Sequence, residues 1–273
     1  MCIRDSNNNI RRLANEGVVL DNCFCTNSIS APSRSSILTG LYSHQNGLYT
    51  LADSLDTSIP TLATVLQANG YHTGLVGKWH IKSQPQGFDY YSIFHDQGEY
   101  RDPTFIESTD PWPGNRNFGQ RVLGFSTDLV TQKAIRWMKQ QDGKQPFLMC
   151  CHFKATHEPY DYPIRMEHLY DGVTFPEPEN LLDWGPETNG RSFIGQKLEE
   201  LVRRWRTASK DPDKWWCRYP GLPFSTEGMQ RTTARRAAYQ KLIRDYMRCG
   251  ATVDDNIGKL LKALDEMGIA DNT

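Results

Sequence analysis

The segment Ser30-Ala31-Pro32-Ser33-Arg34-Ser35-Ser36-Ile37-Leu38-Thr39-Gly40 brings a hydroxyl, a guanidinium and a helix start together. Pro32 is tolerated in a first helical turn and Gly40 suits a C-terminal stop, so the spacing predicts a short helix between them, with Ser30 just ahead of its N-terminus. Unpaired amides and the positive end of the helix dipole would face Ser30, and Arg34, one turn on, adds a planar cationic fork. Such a place favours sulfate or phosphate. On local physics alone, the N-cap role that serine usually fills there comes first. Two further clusters carry chemistry-bearing side chains: Gly77-Lys78-Trp79-His80 and His157-Glu158-Pro159. Taken singly, they read as a solvated lysine and structural histidines.

These residues need rigid elements behind them. Asn9 to Asn15 reads as a short helix stopped by Gly17, followed by Val18-Val19-Leu20 as a strand. From Thr57 the unit repeats, with Pro60 near a helix start, Leu62, Val65 and Leu66 on one face, Gly70 as the stop and Tyr71 to Val76 as the strand. It occurs a third time in Asp128 to Gln141, with Leu129, Ile135 and Met138 as the apolar face, ahead of the continuous apolar strand Phe147-Leu148-Met149-Cys150-Cys151. The alternation predicts an α/β fold with a mostly parallel sheet sandwiched by helices. Lys78 and His80 then sit at the carboxyl edge, where such sheets hold ligands, and His157 falls just past the third strand. His152, inside that strand, reads as a core or supporting residue.

The remainder is organised less regularly. Between about 161 and 231, Pro-, Gly- and Trp-rich sequence with Arg203-Arg204 and Trp215-Trp216 predicts an insertion that shapes a substrate rim. A long helix follows from Ala238 to Met267, closed by Gly268; Tyr239, Leu242, Tyr246, Val253, Ile257, Leu260, Leu261 and Leu264 recur at helical spacing. Asp254-Asp255-Asn256 lies inside it and reads as a solvated face. Residues 1–8 read as a leader or gene-model scar, leaving 9–273 as the folded part.

A net charge of -1 with 23% charged residues gives no reason to expect a nucleic-acid or anionic-membrane partner. No apolar run approaches the roughly 18 residues of a membrane span, and no signal peptide stands at the N-terminus. The seven cysteines lack zinc-module spacing. Cys23 and Cys25, two apart on an expected strand, read as buried free thiols.

Ser30-x-Pro32-Ser33-Arg34 with Leu38-Thr39-Gly40 resembles the signature of the type I sulfatases, members of the alkaline phosphatase superfamily, in its serine version. Thr26-Asn27-Ser28 and Tyr42-Ser43-His44-Gln45-Asn46-Gly47 are similar as well, Gly77-Lys78-Trp79-His80 matches the family's G-K-W-H block, and His157-Glu158-Pro159 matches its H-x-P element. The resemblance implies that a maturase oxidises Ser30 to formylglycine, whose hydrate offers one hydroxyl to attack sulfur and another to expel the sulfate. It further implies that Lys78 binds it and a sulfate oxygen, His80 assists the diol, and His157 binds sulfate and protonates the leaving alcohol, with Arg34 counted among the catalytic residues. Gln97-Gly98-Glu99-Tyr100 and Gly87-Phe88-Asp89-Tyr90 look like members that desulfate carbohydrates, including glycosaminoglycans.

The family also holds one calcium ion, with Asp and Asn, Gln or His residues that find no match here, so Ser30, as formylglycine, is the only expected ligand in these residues. The expectation is therefore an incomplete catalytic domain, cut at both ends and without turnover on its own, from a protein that is periplasmic or secreted. Two other readings stay open. Ser30 could act directly in a phosphomonoester or phosphodiester hydrolase of the same superfamily, or the chain could be a non-catalytic sugar-binding fragment.

Overall fold

Strand β1 (His72–Gly77) carries the buried run Thr73-Gly74-Leu75-Val76, and its neighbours follow from its two-residue period. The computed structural model describes residues 8–94, 96–112, 119–182, 224, 226 and 228–273. It divides into two units, one of Asn7–Lys154 with Asp254–Thr273, the other spanning Ala155–Val253.

In the first unit, β1 joins β2 (Tyr90–Phe94), β3 (Thr104–Glu107), β4 (Gln120–Arg121) and β5 (Phe147–His152) in the order β4-β3-β2-β1-β5. β1 pairs in parallel with both β2 and β5, in a register that sets Gly77 opposite Ile93 on one side and His152 on the other. The carboxyl ends of three strands therefore share one edge. β3 and β4 add an antiparallel margin.

Helices cover both faces of this α/β sheet because successive strand residues point to opposite sides. Leu75 and Ile93 turn toward Ala31 and Leu38 of α2 (Ser30–Thr39). Val76 and Phe94 turn toward Val130 and Ala134 of α5 (Ser126–Met138). Each full burial of such a side chain contributes roughly 1.5–3 kcal/mol. The shorter helices are α1 (Asn8–Glu16), α3 (Ser43–Asn46) and α4 (Leu62–Ala68), and α6 (Arg231–Met267) closes the chain. As expected, Gly40, Gly70 and Gly268 follow helices with positive φ. Among the described residues, no helix is long and apolar enough to cross a membrane.

Several sequence expectations are corrected. Val18, Val19 and Leu20 form no strand and stand 84%, 48% and 72% exposed, because an apolar triplet becomes a strand only when another strand pairs with it. Cys23 and Cys25 lie in the same irregular stretch and are exposed thiols. In α4 the buried residue is Ala63, while Leu62 and Val65 are half exposed. The reason is a backbone approach: Gly87 passes so close to Ala63 and Thr64 that a side chain there would collide with them. In α5 the buried stripe runs through Thr127, Val130, Thr131, Ala134, Trp137 and Met138, so Leu129 and Ile135 flank it. Asp254 is not solvated: its carboxylate accepts from the Ile10 amide at 2.9 Å and the Asn9 side chain at 2.9 Å, which fixes the start of α1. Asn256, fully buried, donates to Asp128 at 3.0 Å.

In the second unit, residues 160–182 dock on the first half of α6 through polar anchors. Arg248 donates to the Leu169 carbonyl and the Tyr162 hydroxyl, and Gln240 accepts from and donates to the Phe175 backbone. Lys241 and Asp245 form a buried ion pair beside them. Residues 1–7 of the expected leader and most of the expected insertion, including Arg203, Arg204, Trp215 and Trp216, lie outside the described residues.

Candidate active site

Helix α2 begins one residue earlier than the sequence suggests. Ile29 takes the N-cap position with extended backbone (φ -136, ψ 146), its carbonyl accepts from the Ser33 amide at 3.0 Å, and Ser30 is the first helical residue. The Ser30 hydroxyl is thus released from capping. It lies 3.0 Å from His80 Nδ1, and Arg34 Nε points at it from one turn on, at 3.4 Å.

The partner segment leaves β1 through a tight bend. Gly77 has φ 103, and a Cβ there would run into the His152 carbonyl, so only glycine allows the two strand ends to approach. Lys78 then donates its amide to that carbonyl at 2.7 Å. His80 sits in the left-handed region at φ 51, a conformation costly for a side-chain-bearing residue, which aims its ring back at Ser30. Trp79, 4% exposed, anchors the bend by donating Nε1 to the Ser83 carbonyl at 2.7 Å.

Arg34 ties helix to strand, its Nη1 donating to the Lys78 carbonyl at 2.9 Å. His152 Nδ1 lies 3.2 Å from the same oxygen. Because a carbonyl only accepts, that ring nitrogen carries the proton. Lys78 is 2% exposed and its ammonium donates to Gln97 Oε1 at 2.6 Å. Burial, then the neighbouring charges of Arg34 and Lys154, pull the Lys78 pKa down to about 7. Burial and Arg34 likewise push His152 down to about 4, so it is neutral near pH 7. A cavity of about 330 Å³ opens beside Ser30 and Arg34, against Trp79 and His152.

The structure therefore brings four of the five candidate residues together: Ser30, Arg34, Lys78 and His80. The fifth, His157, belongs to the second unit, where its exposed ring holds Nδ1 2.7 Å from the Glu158 carbonyl. The sequence reading passed over two neighbours of this cluster, Asp96 as a contact of His80 and Gln97 as a contact of Lys78. Gln97 stood in a block noted only for its resemblance, and no spacing pointed to Asp96.

The donor set around Ser30 suits calcium poorly. The groups around Ser30 are chiefly cationic or imidazole, whereas a hard dication needs several oxygens. Among the described residues, no three His, Cys, Asp or Glu cluster to hold a metal. The described residues by themselves do not fit the ion.

The sheet is parallel at its centre and carries the Ser30 helix start and the Lys78-His80 bend at one edge, and the family model described as Sulfatase matches residues 3–273. The chain belongs to that family. It is 34% identical, over 97% of its length, to 51% of the N-acetylglucosamine-6-O-sulfatase of Bacteroides thetaiotaomicron. Human N-acetylgalactosamine-6-sulfatase is 27% identical over 55% of the chain and 35% of that protein. A solved structure of a protein in complex with its substrate D-glucosamine-2-N,6-O-disulfate superposes with a TM-score of 0.84 at 32% identity, covering 98% of this chain and 58% of that one. The phosphonate monoester hydrolase of Agrobacterium radiobacter shares the fold, with a TM-score of 0.60 at 17% identity over 98% of this chain and 56% of that one. The chain spans about half the length of the relatives that it matches over most of its own.

Proposed function

We propose that the protein is a sulfuric ester hydrolase that removes sulfate from a sulfated carbohydrate, with a formylglycine made from Ser30 as its nucleophile. One observation carries the reading: the Ser30 hydroxyl, free of any capping bond, faces His80 and Arg34 beside the buried Lys78. The sugar substrate follows from the relatives, whose names and bound ligand are amino-sugar sulfates.

In this reading a serine-type maturase removes two hydrogens from the Ser30 Cβ–OH group, and the resulting aldehyde hydrates to a geminal diol. His80 Nδ1 accepts the proton of one hydroxyl as its oxygen bonds to sulfur, and the S–O bond to the sugar breaks. By the family resemblance, the proton that the departing alkoxide takes is assigned to His157. Once His80 has released its proton to water, Nδ1 takes the proton of the second hydroxyl, whose oxygen forms the aldehyde C=O, and sulfate leaves with the electrons of the C–O bond. Arg34 and Lys78 hold the charge that develops on the sulfate oxygens. The family's calcium ion would find one ligand in these residues, the formylglycine made from Ser30, and would supply polarisation of the sulfate. Family members are commonly exported, and a periplasmic or secreted location belongs to the same proposal.

A second reading is favoured by the same 3.0 Å contact, since a serine paired with an imidazole is an activated nucleophile without oxidation. Ser30 would then attack phosphorus directly. Peptide mass analysis of the chain co-expressed with a serine-type maturase separates the two. The sulfatase reading expects the Ser30 peptide to be lighter by two hydrogens and the mature full-length protein to turn over aryl sulfate faster than aryl phosphate. An unmodified Ser30 in a protein that prefers aryl phosphate would overturn it. Turnover of neither ester would point to the non-catalytic, sugar-binding reading.

A further inference from the structure

The loop after β2 touches the cluster at two successive residues, each meeting a different group. Asp96 Oδ1 lies 3.3 Å from His80 Nε2. Gln97 Oε1 accepts from Lys78 Nζ at 2.6 Å. The parallel register of β1 and β2 makes this possible, because both strands end at the same edge. The loop is curled to fit: Asp96 and Gly98 adopt left-handed φ values of 50 and 68, and a side chain at Gly98 would press on the Phe94 ring. Lys154 fastens it from β5's side, donating to the Gln97 carbonyl at 3.3 Å while its ammonium lies 5.2 Å above the Tyr100 ring.

We propose that Asp96 and Gln97 are positioning residues of the Ser30 site, Asp96 fixing the proton of His80 on Nε2 and Gln97 fixing the direction of the Lys78 ammonium. This rests on the reading of that site given above. A carboxylate only accepts, so its place 3.3 Å from Nε2 favours the proton on that nitrogen. The neutral ring must then present a lone pair at Nδ1, the atom facing Ser30, which is the form able to take a proton from a hydroxyl there. A ring with the opposite tautomer would donate to Ser30 and could accept nothing from it. Gln97 acts on Lys78 by the same logic: its amide oxygen occupies one of three ammonium donors and leaves the other two aimed by the fixed stem.

A purely structural role is disfavoured for Asp96, whose side chain is 59% exposed. An ion pair that open to water contributes little to stability. Its replacement should alter the ring's tautomer and leave the fold intact.

The test uses the chain itself labelled with nitrogen-15 histidine, with His80 assigned by its loss in His80→Asn. Two-bond proton–nitrogen spectra at a pH where the ring is neutral should show His80 as the Nε2–H tautomer. In Asp96→Ala the share of Nδ1–H should rise at least threefold, and Asp96→Glu should restore the original pattern, with unchanged urea midpoints in both. For Gln97, reductive methylation of Lys78 relative to the other lysines should speed up at least fivefold in Gln97→Ala and less in Gln97→Asn, which keeps an acceptor. An unchanged tautomer in Asp96→Ala removes Asp96 from the proposal, and an unchanged methylation ratio in both Gln97 variants removes Gln97. Neither readout needs turnover or oxidation of Ser30. A failure here leaves the sulfatase reading standing, and a failure of that reading leaves the tautomer result intact.

Discussion

Lys78 and His152 hold each other by a reciprocal pair of hydrogen bonds: the Lys78 amide donates to the His152 carbonyl at 2.7 Å, and His152 Nδ1 donates to the Lys78 carbonyl at 3.2 Å. The pair joins the ends of β1 and β5, and burial, with the nearby Arg34 charge second, keeps the ring neutral near pH 7. Its protonation therefore opposes folding. An unfolded histidine takes its proton near pH 6.5, whereas this one waits until about 4. Between those values the unfolded chain binds more protons, so this stability is present above pH 6.5 and lost as pH falls through 4. Urea midpoints against pH should show a slope from His152 of up to about 1.4 kcal/mol per unit in that window. His152→Gln, which keeps a donor but does not titrate, should flatten it.

Lys78 has the same sign in a different window. Its folded pKa of about 7 lies below the 10.5 of a free lysine, so the unfolded chain holds the extra proton between those values and stability climbs with pH across them. Lys78→Met removes a charge buried against Arg34 and Lys154. Its stability relative to the parent should be greatest at or below pH 7 and should fall steadily toward pH 10. A difference that stays flat in paired denaturation curves would mean that Lys78 titrates normally.

Cysteine reactivity should divide by place in the fold. Cys23 and Cys25 are exposed, whereas burial raises Cys150 to about 11 and Cys151 to about 12. The thiolate is the reactive form. Under native conditions at pH 7.5 or so, a thiol reagent followed by peptide mapping should modify Cys23 and Cys25 at least tenfold faster than Cys150 and Cys151. Denaturant should abolish the difference.

Gly77 separates backbone geometry from side-chain chemistry. Gly77→Ala must place a Cβ against the His152 carbonyl at a φ of 103. The strain and the forced separation of β1 from β5 should together cost about 3 kcal/mol or more, read as a fall in urea midpoint. Ser30→Ala removes a hydroxyl from a half-buried helix start and should leave the midpoint within about 1 kcal/mol of the parent.

The parts of this fold legible in the sequence are those written locally. Gly40, Gly70 and Gly268 ended helices where their conformational freedom suggested, and the Lys78-Trp79-His80 block fell at a strand end because a helix stop and an apolar run framed it. Strand β2 and the antiparallel margin were not legible: Tyr90–Phe94 and Thr104–Glu107 are short, and what makes them strands is pairing with one another and with β1. Val18-Val19-Leu20 erred the other way, apolar enough for a strand but without a partner among the described residues. At the site, Ser30 and Arg34 were legible from one helical turn. Asp96 was not, since its contact with His80 depends on a loop returning across the sheet edge.

Asp254 shows the same limit in a form that can be measured. The sequence places it between Val253 and Ile257 in a long helix, where a carboxylate usually faces water, yet it is 7% exposed and serves another helix. One oxygen accepts from the Ile10 amide, the other from the Asn9 side chain, and the Asp254 carbonyl accepts from that side chain as well. These bonds satisfy donors that the start of α1 cannot satisfy within its own helix, which makes Asp254 a cap supplied from 244 positions away. Removing such a cap costs about 1–2 kcal/mol. Asp254→Ala should lower the urea midpoint by that amount and expose the amides of Asn9 and Ile10 to hydrogen exchange, with the amides of β1 unaffected. Asp255→Ala, one residue on, loses an exposed pair with Lys259 and leaves the Asp254 bonds to the start of α1 in place, so it should change neither by more than a few tenths of a kcal/mol. Equal exchange at Asn9 and Ile10 in both variants would show that α1 does not depend on this carboxylate.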